Sequence, residues 1–214
     1  MINRPGIRET FIDTGRVAAA LLAAPEIAAR WDEPSALEEF SVRGLAGHLL
    51  RATGSVVAYL GRPEPGGDPV SAAEYYLIAV DETDVHSELH RAIRKRGEET
   101  AAGGYEALVA DSRTMLEQLE SILRVEPTGR KVRAYKDLVL RLDDYLVTRL
   151  IELVVHIDDL AVSVGIPVPE MPADATRLAI ETLVEVARLK HGDVAVMRGL
   201  TRRERDAVQA LRVL

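Results

Sequence analysis

YLVTRLIELVVHIDDLAVS, residues 145–163, sorts its side chains into two unequal groups when wound as a helix at about 100° per residue. Tyr145, Thr148, Arg149, Glu152, His156, Asp159 and Ser163 share a sector roughly 100° wide, and between Leu146 and Val162 the only other polar residue is Asp158. Most of this helix must be buried, so its one polar stripe either shows a narrow edge to water or lines a site. The stripe has no Lys, the usual choice for a solvated edge. Glu152 and His156, four apart, put two metal-competent groups on one face about 6 Å from each other. One helix can supply two ligands in this way, and a third has to come from elsewhere in the chain.

The best source is a second helix. Ser41 is a natural N-cap for VRGLAGHLLRATGSVVAYLG, about residues 42–61, in which His48 shares a face with Gly44, Leu45, Ala52, Ser55 and Tyr59. Small residues there allow another helix or a ligand to approach closely. Alone, His48 reads as a neutral core histidine. Beside Glu152 and His156 it completes a set of two imidazoles and a carboxylate, which suits Zn²⁺ and leaves one coordination position open. Arg149 and Asp159 complete the stripe as supporting residues: Asp159 to accept from a histidine ring N–H, Arg149 to hold Glu152 or an anionic ligand, with a salt-bridged interior pair as the plainer alternative. His86 and His90 are also four apart, but they sit on a strongly charged segment and read as surface residues, and His191 reads as a favourable cation at a helix end.

The remaining pattern is helical. Apolar spacing predicts a helix over 7–23 ending before Pro25, then turn chemistry around Trp31 to Ser35. RPEPGGDP (62–69) is the clearest loop. Residues 71–80 predict a short helix or turn, 84–102 a peripheral helix with a thin seam of Val85, Leu89 and Ile93, and the segment from Leu108 to about Leu123 another amphipathic helix after the Gly103-Gly104 break. Lys131 to Leu142 reads as either extended or an early helical turn. Gly165 stops the central helix, and IPVPEMP (166–172) marks a boundary before two further segments, about 173–190 and 193–212. The expected organisation is all-α: a bundle over 1–165 with a small helical extension over 173–214 packed upon it.

Composition narrows the function classes. The chain has 214 residues, 47% hydrophobic and 29% charged, with a net charge of -7, and its most basic run is only Arg91–Arg96, so nucleic acid is not an expected partner. Neither a membrane-length apolar run nor a basic-then-apolar leader at Met1–Arg4 is visible, so a cytoplasmic protein is expected. With no cysteine, any thiol chemistry must come from a small molecule.

Trp31-x-x-Pro34-Ser35, the run Ser41-Val42-Arg43-Gly44-Leu45-Ala46-Gly47-His48-Leu49, and Tyr145 through His156 with Asp159-Leu160 together resemble the mycothiol-dependent maleylpyruvate isomerase family of the DinB-like superfamily. The resemblance implies an up-down bundle of four main helices that binds one divalent metal, usually zinc, through His48, Glu152 and His156. It also implies mycothiol as cofactor or co-substrate, with a small electrophile as the other partner, in an isomerase or transferase reaction; a monomer or homodimer is the expected working unit. Gly44 stands where the family commonly has an acid, which implies a weaker start to the second helix. The family isomerase draws a substrate-binding arginine from a larger C-terminal domain; here only about 49 residues follow Gly165, and Arg198, Arg202, Arg203 and Arg205 are the candidates to take that arginine's place. A metal-dependent hydrolase of the same fold and a non-enzymatic, metal-stabilised binding module are the alternatives.

Overall fold

The computed structural model describes residues 6–79, 86–204 and 210–213. It is built from helices α1 (Ile7–Leu22), α2 (Pro25–Ala29), α3 (Val42–Leu60), α4 (Ala72–Ala79), α5 (Glu88–Thr100), α6 (Tyr105–Val125), α7 (Leu142–Val164), α8 (Ala173–His191) and α9 (Asp193–Thr201), with one short hairpin. Helices α1, α3, α6 and α7 form the bundle. Phe11, Leu22, Leu49, Leu119, Leu146 and Leu150 from these four are fully buried in one continuous core. Helix α8 lies against α4 and α7 and adds Ala175, Leu178 and Val186 to that core, and α9 packs on α8.

Each helix starts and stops for a local reason. Pro25 does more than end α1: it opens α2 as its first residue, where its missing N–H costs nothing. Ser41 caps α3 by accepting from the Gly44 N–H at 3.0 Å. Ser71 and Glu74 form a reciprocal capping box at α4, the Ser71 N–H donating to Glu74 at 2.8 Å and the Glu74 N–H to Ser71 at 3.2 Å. Gly165 takes the left-handed conformation (φ 72°) that closes α7, with the Ile166 N–H reaching back to the Ala161 carbonyl at 3.1 Å.

The stretch left open between α6 and α7 is extended. Lys131–Arg133 pairs antiparallel with Val139–Arg141 around a 3-10 turn at Tyr135–Asp137, and α7 begins at Leu142, a turn before Tyr145. The last helix is shorter than the apolar pattern predicts, stopping at Thr201; the continuation over 205–209 lies outside the described residues, as do residues 1–5 and the expected Val85 position of the α5 seam.

Helix α5 corrects the expectation of a peripheral element. Its only buried residue is Gly97, yet that glycine lies against α3 backbone to backbone. A Cβ on Gly97 would fall 2.3 Å from the Gly44 carbonyl oxygen, and one on Gly47 would fall 2.1 Å from the Gly97 carbonyl oxygen. The thin apolar seam is replaced by a glycine crossing. This contact also revises the reading of Gly44. Helix α3 has no acid in its first turn, but Glu98 of α5 comes to its N-terminus, accepting from the Ser41 hydroxyl and, at 2.6 Å, from Arg43 Nε. A Cβ on Gly44 would stand 2.7 Å from Glu98 Oε1, so the absent side chain makes room for a carboxylate delivered by another helix.

Candidate functional site

The polar stripe of α7 faces inward. Tyr145 is 2% exposed and donates its hydroxyl to Ser55 Oγ of α3 at 2.9 Å; Thr148 is fully buried. At the other end, Ser163 donates to the Asp159 carbonyl at 2.6 Å and accepts from the Ala36 N–H at 2.9 Å, tying the loop after α2 to the stripe. Asp158, off the stripe, is exposed.

His48, Glu152 and His156 meet in the middle. His48 Nε2 is 3.4 Å and His156 Nε2 3.5 Å from the same carboxylate oxygen, Glu152 Oε2, and the three candidate ligand atoms lie within 4.8 Å of one another. The imidazole centroids are 4.7 Å apart with rings at 74°. Zinc bonded to N and O at about 2.0–2.1 Å in tetrahedral geometry would hold its ligands about 3.3–3.4 Å apart. The two separations from Glu152 match that edge, and the donor set suits a divalent ion. Each of the three side chains keeps 16–21% of its surface exposed, so the cluster is not sealed from solvent.

The atoms of α7 that do not face the cluster are anchored. Asp159 Oδ2 lies 2.9 Å from His156 Nδ1, which fixes the ring and leaves Nε2 for the cluster. Tyr76, from α4, donates its hydroxyl to the Thr148 carbonyl at 2.9 Å and to Glu152 Oε1 at 3.3 Å, turning Oε2 towards the histidines. Arg149 Nη2 stands 3.8 Å from Glu152 Oε1, its Nε donates to Thr148 Oγ1 at 3.1 Å, and its guanidinium lies over the Tyr145 ring at 5.3 Å. His48 differs, because it is placed by packing: the Phe40 ring is 5.9 Å away and Gly97 of α5 sits behind it, where a Cβ would be 3.5 Å from His48 Cβ.

Electrostatics follow from this geometry. Burial pushes the His48 imidazole down, only partly opposed by Glu152, so it is held neutral. For Glu152, burial is the largest effect and acts upward, but the Arg149 charge and the hydrogen bonds from His156 and His48 outweigh it and hold the carboxyl well below the usual range. Burial also opposes charging of His156, yet the bonds to Asp159 and then Glu152 push it up to about 9. Arg149 is raised despite its burial by the neighbouring Tyr145 and Glu152.

Of the residues singled out from the sequence, the structure thus brings His48, Arg149, Glu152, His156 and Asp159 together and leaves His86 and His191 elsewhere. His86 is half exposed beside Glu39 at 3.3 Å, and His191 Nε2 lies 3.3 Å from the Arg212 carbonyl at the end of α8. Arg198 and Arg202 line a surface concavity with Met197, Thr201 and Glu204, and Arg205 lies outside the described residues; the arginine in contact with the cluster is Arg149. A second void, about 10 Å³ between Gly15, Leu49, Leu116 and Leu153, is too small to hold anything beyond a water. Tyr76 and Phe40 are the neighbours the sequence reading missed. Two adjacent tyrosines in the otherwise apolar AEYYLIA were the available signal, since a buried phenol needs a partner.

Fold and site together define an all-α bundle of the DinB-like type with a histidine–glutamate–histidine cluster between two of its helices. The chain belongs to the family described as mycothiol maleylpyruvate isomerase N-terminal domain, whose pattern it matches over residues 13–161. A solved structure described as the mycothiol-dependent maleylpyruvate isomerase superposes with a TM-score of 0.53 at 14% identity, covering 90% of this chain and 72% of that one, a likeness of fold. No curated protein sequence matches the chain. No helix among the described residues is long and apolar enough to cross a membrane.

Proposed function

We propose that the protein is a metal-dependent enzyme that uses mycothiol, the low-molecular-weight thiol named by its family, to isomerise or to capture a small electrophile. The observation that carries this reading is the convergence of His48 Nε2 and His156 Nε2 on one oxygen of Glu152 at separations matching a tetrahedral ligand edge. The ion held there, zinc by the fit of its ligands, would supply one thing: a lowered pKa for a thiol at the open position, so that the reactive thiolate exists near neutral pH.

The chain's own residues do the rest. Asp159 holds the tautomer and orientation of His156, Tyr76 and Arg149 fix the far oxygen of Glu152, and Phe40 walls the His48 side. Without cysteine, the protein has no thiol to compete with the small-molecule one. If the thiolate adds to a conjugated bond and leaves after rotation, the outcome is isomerisation; if it stays, the outcome is transfer. The setting fits a cytoplasmic protein, monomeric or dimeric, with small molecules as its partners.

The test is to load the purified protein with zinc and offer mycothiol with a conjugated electrophile. Metal-dependent isomerisation or thiol consumption supports the reading. Turnover without thiol would make it a hydrolase, in which the open position takes water, and no turnover with tightly held metal would make it a binding module. Stoichiometric zinc retained in both His48→Ala and Glu152→Ala would refute the ligand assignment.

A further inference from the structure

Residues 35–40 form a loop that brings Phe40 against the His48 ring, 5.9 Å between centroids. Its base is firm. Pro34 and Ser41 form an antiparallel bridge, the Ser35 N–H donates to the Phe40 carbonyl at 2.8 Å, and just beyond the base the Val42 N–H donates to the Glu33 carbonyl at 2.9 Å. Above the base the loop has ties on two sides. The Ala36 N–H donates to Ser163 Oγ of α7 at 2.9 Å, and Glu39 Oε2 pairs with Arg94 Nη2 of α5 at 2.7 Å. Leu37 and Phe40 are its only large apolar side chains, and both are half-buried.

Glu39 is strained. Its φ of 62° is in the left-handed region, and the other non-glycine residues with positive φ among the described residues, Lys136 and Asp137, form the turn of the hairpin. Glycine and asparagine take this conformation most readily, so a loop that only connected two elements would carry one of them at position 39. A glutamate stays there when its surroundings hold it. Here the hold is on the carboxylate: Arg94, with 12% of its side chain exposed, takes Oε2, and His86 Nδ1 lies 3.3 Å from Oε1. If the carboxylate is released, the backbone of Glu39 relaxes to negative φ. Phe40 is the next residue, so that rotation carries its ring with it.

We propose that residues 35–40 are a strap over the His48 side of the cluster, and that the Glu39–Arg94 pair is the latch that keeps it closed. Opening the latch relieves the backbone at Glu39, swings Phe40 off the His48 ring and uncovers the cluster for the entry and exit of the ion. The inference rests on the reading that the cluster holds a metal. Glu39 and Arg94 touch neither the ligands nor the ion; they act through Phe40 and are positioning residues. The Glu39 side chain is 44% exposed, so water competes for the pair and the latch opens readily. The tie of Ala36 to Ser163 is on the opposite side and remains as the hinge.

The experiment uses the full chain, Glu39→Gln, Arg94→Gln and the double variant, with two readouts. On the zinc-loaded protein, uptake, release to excess chelator and equilibrium affinity are measured; on the metal-free protein, the rate at which diethylpyrocarbonate modifies His48, followed by peptide mass spectrometry. Each single variant speeds zinc uptake and release together by about 5-fold and His48 modification by a similar factor, as loss of a half-exposed charge-assisted pair predicts. Because the open form stays a minority, Kd changes by less than about 2-fold. The double variant behaves as Glu39→Gln alone, since both substitutions break one pair. Unchanged release and unchanged modification in Glu39→Gln overturn the proposal. So does affinity lost in full proportion to faster release, because Phe40 would then shape the site rather than cover it, and so do effects that add in the double variant. Should Arg94→Gln fail to fold, Glu39→Gln decides alone, its exposed carboxylate being replaced by an amide of the same shape. A chain that takes no zinc, but whose His48 is modified faster in Glu39→Gln, sinks the metal reading and leaves the strap standing.

Discussion

Gly47→Ala puts the glycine crossing of α3 and α5 to a quantitative test. A methyl at this position would stand 2.1 Å from the Gly97 carbonyl oxygen, 3.0 Å from its carbon and 3.2 Å from the Ala101 nitrogen, all of them backbone. No rotamer can relieve such a clash, so α5 has to retreat by about 1 Å to reach ordinary contact distances. Overpacking of this kind costs about 1–3 kcal/mol, and the better helix propensity of Ala returns about 1 kcal/mol. The expected net loss is about 0–2 kcal/mol, which for a chain of this size lowers Tm by up to about 8 °C. Gly54→Ala is the matched control on the same helix. Its methyl would meet Met115 Cε at 3.5 Å, an ordinary contact, so only the propensity gain remains and Tm rises by about 2–4 °C. Thermal and urea unfolding of the two variants, followed by circular dichroism, measure both. Equal stabilisation in the pair would show that α3 and α5 are not in backbone contact and would remove the account of how His48 is backed.

Four further outcomes follow from the anchoring of the α7 ligands. Tyr76→Phe frees Glu152 Oε1 from the phenol and lowers zinc affinity by about 10-fold with little change in the fold, as read by competition with a chelator. Asp159→Asn removes the acceptor that fixes His156 and lowers zinc affinity by about 10–100-fold; unchanged affinity would mean the 2.9 Å contact carries no orientation. His156 must lose its proton to bind metal, and its pKa is pushed up to about 9 in the metal-free protein, so apparent zinc affinity rises about 10-fold per pH unit from about pH 7 to 9 and then levels. In the metal-free chain the sign is opposite. A folded pKa above the unfolded value near 6.5 gives stability that is complete below about pH 6.5 and lost as pH rises through about 9, on the order of 3 kcal/mol at most, and urea midpoints across that window report it.

What the sequence showed of this site depended on periodicity. The stripe from Tyr145 to Ser163 could be read because a helix repeats every 3.6 residues and its apolar majority left one sector over. His48 could be read only beside that stripe, because alone a histidine among small and apolar residues is an ordinary core histidine. Neither signal extends across elements. Glu98 reaches the α3 N-terminus from 57 residues away, and nothing in its local run distinguishes it from the other acids of α5. Tyr76 approaches Glu152 from 76 residues away, on a short helix whose apolar residues show no directional pattern. The thin seam of α5 suggested a marginal helix because hydrophobic counting has no term for Gly97 and Gly47, whose contribution is the absence of side chains.

That last point bears on how the site can move. Both ligands from α7 are held on their far side by hydrogen bonds, Glu152 by Tyr76 and His156 by Asp159, whereas the ring of His48 has neighbours and no second hydrogen bond among the described residues. The position of the third ligand is therefore set by the distance between α3 and α7 and by the walls behind it, Phe40 on one side and Gly97 on the other. Packing gives way gradually where a hydrogen bond is made or lost, so His48 is the ligand through which strain elsewhere in the bundle reaches the metal. Phe40→Ala tests this directly. It leaves all three ligands and both anchors in place, yet removes one wall, and zinc affinity falls by about 10-fold while Asp159→Asn and Phe40→Ala combine additively, since they act on different ligands. Strong coupling between the two substitutions would mean that His48 and His156 are positioned by one shared network, and that the division between a bonded helix and a packed one is wrong.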